Sequence, residues 1–137
     1  MNEFNKKKNI HEEIKRATTA FEAACLLFEN GYVNDALSRL YYFILYHIRA
    51  ALLTKGFEPK SHEGALRLFA LHFVKERIFR PKDSHIFSKL MKYREEADYN
   101  PVYIFTKEDF QDLKKEAEAL AHKIQGYLKT KGYMKKE

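Results

Sequence analysis

The segment Ala36–Leu53, ALSRLYYFILYHIRAALL, limits what this chain can fold into more than any other feature. It is apolar nearly all round, but Arg39, His47 and Arg49 interrupt it, and the uncharged runs between them are too short to span a bilayer. Set at 100° per residue, it separates two faces. One holds Leu37, Leu40, Tyr41, Ile44, Ile48 and Ala51, an ordinary core stripe. The other holds Arg39, Tyr42, Phe43, Tyr46 and Arg49, where a surface helix would show Lys and Glu. A helix of this kind is expected to be covered twice. Tyr and Arg are enriched at subunit interfaces, so Tyr42, Phe43, Tyr46 and Arg49 are assigned to a homodimer contact, with a ligand as the other possible cover.

The rest of the chain is divided by a few breaks. Ile10, Ile14, Ala17, Phe21, Ala24 and Phe28 recur at helical spacing, and Asn30-Gly31 closes that stretch. The apolar segment stops at Lys55-Gly56. Ser61 reads as the N-cap of a third helix carrying Leu66, Phe69 and Phe73, which ends before Pro81. Asp83 or Ser84 is expected to cap a fourth, with Ile86, Leu90, Arg94 and Ala97 on one side and Asn100-Pro101 as its stop. Thr106 and Asp109 form a capping-box pattern before a fifth stripe of Phe110, Leu113, Ala117, Leu120, Ile124 and Tyr127 or Leu128. No segment alternates with period two, and 5 Gly and 3 Pro in 137 residues are few for a turn-rich β fold. The expectation is one all-α domain over residues 1–137, an up-and-down bundle of four to five helices.

The net charge of +6 sits mainly at the ends: +2 on residues 1–8 and +3 on 129–137, leaving +1 for the middle. Flexible basic tails are therefore expected at about 1–7 and 130–137, as solubilising ends rather than a nucleic-acid footprint. The single Cys25 excludes an intramolecular disulfide and a cysteine-based zinc site, and the polar N-terminus has no apolar signal region. Both fit a cytoplasmic protein, with no membrane partner expected.

Two constellations could carry chemistry. Arg39 and Arg49 could hold a phosphate through forked N–H donors while Tyr42, Phe43 or Tyr46 stacks on a base. The same stripe could equally serve self-association, and the two uses are compatible. Arg94 and Asp98, four apart on one helix face, are either a solvated ion pair or a fixed guanidinium aimed at a phosphate. His47 lies at the edge of the core stripe. His62 and Glu63 are adjacent and His72 with Glu76 is a lone pair, so no metal site or cofactor is expected. There is no Gly-rich phosphate loop. Ser38 lacks a spaced Asp and His, and Cys25 lies in an apolar stretch, so neither reads as a nucleophile.

Phe28-Glu29-Asn30-Gly31-Tyr32, the run Asp35 to Tyr42, and Arg49 to Leu53 together resemble the HEPN-domain superfamily. Lys60-Ser61-His62-Glu63-Gly64 and Arg94-Glu95-Glu96-Ala97-Asp98-Tyr99 extend the likeness over about residues 8–128, toward the small stand-alone branch encoded beside minimal nucleotidyltransferases. The resemblance implies a dimerising helical bundle with a cleft at the subunit boundary that handles nucleotides or RNA. It also implies a minimal nucleotidyltransferase as partner in a two-component, toxin–antitoxin-like module. Arg39, Tyr42, Arg94, Asp98 and Tyr99 would line that cleft.

Many such proteins are metal-independent ribonucleases that use an Arg followed four to six residues later by His. The matching arginine here is Arg94, but Tyr99 stands where the histidine belongs. A phenol with a pKa near 10 suits neither acid nor base work at neutral pH. The spacing recurs as Arg67–His72 and Arg80–His85, in a different helix and across Pro81. Whether the chain is an enzyme is thus left open. If it is a ribonuclease toxin with a departed motif, Arg94 and His47 are its candidate catalytic pair. In related systems the nucleotidyltransferase adds adenylates to a tyrosine near this motif, for which Tyr99 and Tyr103 are the nearby residues.

Overall fold

Asn2 opens the first helix by accepting the Asn5 N–H on its side-chain oxygen at 2.8 Å, so α1 runs Glu3–Glu29. The computed structural model describes residues 2–100, 102 and 104–136. α1 ends at Asn30, and Gly31 turns the chain at φ 86°, a left-handed conformation that a side chain would strain. α2 follows as Val33–Thr54. The Ser61 hydroxyl accepts the Gly64 N–H at 2.9 Å and caps α3, His62–Phe69, which passes into a π-helical turn at Ala70–Val74. α4 spans Pro81–Tyr99 and α5 spans Lys107–Thr130, the latter opened by the reciprocal Thr106–Asp109 capping box.

The result is an all-α bundle with 79% of residues in helices and no strand among the described residues. Among those residues, no helix is long and apolar enough to cross a membrane.

α2 is the hub. It packs against α1 most extensively and also against α3, α4 and α5. This arrangement accounts for its apolar circumference: a helix surrounded by neighbours has no solvent face to keep polar. The second cover expected from another subunit is, for Phe43, supplied within the chain. Phe43 is buried, with its ring 4.7 Å from that of Phe21 on α1, so it belongs to the core and not to a dimer contact. Tyr41 stacks on Phe87 of α4, and Phe28 on Phe110 of α5, at 5.9 and 4.4 Å between ring centres.

Three other expectations change. Residues 3–7 lie in α1, and Tyr133 donates its hydroxyl to Glu3 at 3.1 Å while Met134 packs on the core, so much of both expected tails is structured. Pro81 begins α4 instead of lying outside it. Asp83 therefore sits in the first turn, accepting the Arg80 N–H at 2.9 Å and pairing with Lys123 at 3.1 Å. The core side of α4 is Phe87, Leu90 and Met91, rotated from the expected Ile86, Leu90, Arg94 and Ala97. Pro101 and Tyr103 lie outside the described residues.

Candidate functional site

The crossing of α2 and α4 puts Ser38 opposite Asp98. The buried Ser38 hydroxyl donates to Asp98 Oδ1 at 2.5 Å, while Asp98 Oδ2 lies 3.4 Å from Arg94 Nε. Asp98 is thus held from one side by α2 and itself holds Arg94. The Arg94 side chain is only 13% exposed, so its charge is poorly screened by water and its position is restricted. Its guanidinium carbon lies 5.4 Å from the Tyr41 ring centre and 5.5 Å from that of Tyr42. Arg39 approaches the same Tyr42 ring at 4.6 Å. Two guanidinium groups thus share one half-buried tyrosine, an arrangement in which cation–π attraction orients donors that remain able to bind an anion.

α3 brings a further group. Capped by Ser61, it begins at His62, whose ring centre is 5.5 Å from Tyr41 and 6.1 Å, edge-on, from Tyr42. Burial holds the His62 pKa below the usual histidine value, and the positive charges of Arg94 and Arg49 add to this against the opposing effect of Glu95. At neutral pH His62 is therefore a neutral imidazole beside guanidinium groups.

The structure brings Arg39, Tyr42, Arg94 and Asp98 together within one chain. Tyr99 is not joined to them by a ring contact; at the end of α4 it is 73% exposed. Tyr46 is half-buried with its ring 6.0 Å from that of Tyr42, and Arg16 of α1 lies 6.0 Å from it. Arg49 turns toward α1, with Nε 3.9 Å from Glu13 Oε2. A shallow groove of ≈ 370 Å³ between α1 and α2 reaches Arg39 and Tyr46 and is lined further by Lys15, Arg16 and Thr19.

His47, the candidate base, is overturned as a partner for Arg94. It is 1% exposed, its Nδ1 lies 2.9 Å from the Phe43 carbonyl, and its Nε2 lies 2.9 Å from the Gln125 side-chain amide on α5. Both ring nitrogens are engaged in the core, and burial lowers the pKa of this imidazole. Sequence reasoning missed two residues that matter. Ser38, dismissed as a nucleophile and given no role in the site, anchors Asp98. His62, dismissed as a metal ligand and given no role in the site, reaches the tyrosine pair. The Ser61 cap signal marks where α3 starts, but no spacing in the chain shows that this end lands on Tyr41 and Tyr42.

A model of the HEPN domain matches residues 10–127. Among curated proteins, two from Methanocaldococcus jannaschii described as candidate toxins are similar. One is 30% identical over 98% of this chain and 92% of its own length; the other is 36% identical over 89% and 93%. A UPF0332 protein of Thermotoga maritima is 30% identical over 91% of this chain and 93% of its own.

Proposed function

Because the chain belongs to the HEPN domain family, we propose that it binds a nucleotide or RNA phosphate at the Arg39–Tyr42–Arg94 cluster. In this reading it acts as a homodimer and as the partner of a minimal nucleotidyltransferase in a two-component, toxin–antitoxin-like module. The observation that carries the binding role is the pair of guanidinium groups at 4.6 and 5.5 Å from one half-buried tyrosine ring, with Asp98 restraining one of them. Arginine forks match phosphate oxygens, and a tyrosine face stacks on any base, so the three side chains cover both halves of a nucleotide. The toxin part of the reading rests on the descriptions of the two archaeal relatives.

The test is equilibrium binding of adenosine 5′-monophosphate and a short single-stranded RNA to the intact protein. Arg39→Ala and Arg94→Ala should each weaken binding by roughly tenfold or more, the scale of one charge-assisted hydrogen bond, with the helical circular-dichroism signal preserved. Unchanged affinity in both variants refutes the site.

A further inference from the structure

Arg39, Arg94 and His62 all approach the Tyr42 ring, at 4.6, 5.5 and 6.1 Å from its centre. Their charges are not equally available. Arg94 pairs with Asp98 and Arg49 with Glu13, whereas Arg39 has no ion pair among the described residues. A ligand carrying one negative charge can be met by Arg39. A second negative charge needs another cation, and the remaining titratable nitrogen base on this ring pair is His62.

We propose that His62 is the third anion contact of this site and takes up a proton as the ligand binds, which makes the site selective for a terminal phosphate monoester over an internal diester. The proposal rests on the reading of the cluster as a phosphate site and names the kind of phosphate.

The groups facing His62 make its protonation depend on the ligand. From α2 come Tyr41, Tyr42 and Arg49; from α4 come Arg94 and Glu95; and Glu63 is its neighbour on α3. In the free protein, partial burial and then the charges of Arg94 and Arg49 favour neutral imidazole, and Glu95 offsets them incompletely. An anion placed among these cations reverses the local field and favours imidazolium. A monoester carries nearly two negative charges at pH 7.5, above its second pKa of about 6, and a diester carries one. The monoester therefore drives protonation more strongly. By linkage, the proton in turn tightens monoester binding by the same factor.

The source of the monoester can be a free mononucleotide or the end of an RNA, and two ligand pairs separate these. Adenosine 5′-monophosphate is compared with its methyl diester, and a 5′-phosphorylated oligoribonucleotide with its 5′-hydroxyl form. Calorimetry at pH 7.5 in two buffers of different ionisation enthalpy counts protons. Wild-type protein should bind at least one monoester about tenfold more tightly than its counterpart and take up about one proton per ligand. His62→Gln should lose both the preference and the uptake. His62→Lys, with a permanent charge, should keep the preference and take up no proton. Proton uptake that survives in His62→Gln overturns the assignment, as does equal affinity within both ligand pairs. In the latter case the phosphate site itself stands; it falls with the inference only if wild-type protein binds none of the four probes.

Discussion

Tyr41 is fully buried and stacks on Phe87 at an interplanar angle of 8°, yet its hydroxyl finds no hydrogen-bond partner among the described residues. A buried hydroxyl left unpaired costs about 1–3 kcal/mol relative to one that is satisfied. Tyr41→Phe keeps the ring and removes that cost, so it should raise stability by roughly 1 kcal/mol, read as a higher midpoint in urea. A lower midpoint would show that the hydroxyl has a stabilising contact. Burial also pushes this phenol well above its ordinary pKa, so it stays protonated and does not act as a base. In the sequence Tyr41 and Tyr42 are adjacent but fall on different faces of one helix. Their difference comes from the 100° step between them, which sends one ring into the core and leaves the other half-buried beside Arg39.

Among the elements, α3 is short and depends on its first turn. Its cap is a single hydroxyl, and a side chain at Gly64 would crowd it, because a Cβ there would lie 2.9 Å from Ser61 Oγ. Ser61→Ala should cost about 1 kcal/mol of stability, measured by chemical denaturation. It should also loosen the start of the helix that carries His62, so binding at the candidate site should weaken alongside stability; a variant as stable as wild type would show that packing alone holds this turn. Caps of this kind are legible in the chain: Ser61 and Thr106 with Asp109 were each found where the pattern indicates. The start of α4 was not, because Pro81 reads as a stop although it is fully compatible with a first helical turn. The buried side of α4 was legible but misassigned: Phe87, Leu90 and Met91 recur at helical spacing, and the neighbouring stripe through Ile86, Arg94 and Ala97 was taken in their place.

For the molecule as a whole, apolar side chains are left open at several places, from Phe4 and Leu26 on α1 to the segment after α4. Tyr42 and Tyr46 are half-buried on α2, and the segment after α4 exposes Val102 and Ile104 at 84% and 79%. Exposed apolar groups grouped in one region are a feature of association surfaces. If the proposed homodimer uses this region, sedimentation should give a dimer for the wild type and a monomer for Tyr42→Asp, which removes the aromatic ring from the contact and puts a hydrated carboxylate in its place. A wild-type monomer at micromolar concentration would remove the dimer from the reading. Periodicity and capping chemistry, both written locally, determined that the chain is a helical bundle, where α3 and α5 begin, and that α2 is apolar nearly all round. Tertiary structure alone decided which aromatic face α1 covers, that His47 is spent in the core, and that His62 reaches the arginines. Those outcomes depend on how helices distant in sequence cross, and no periodicity within one helix encodes that angle.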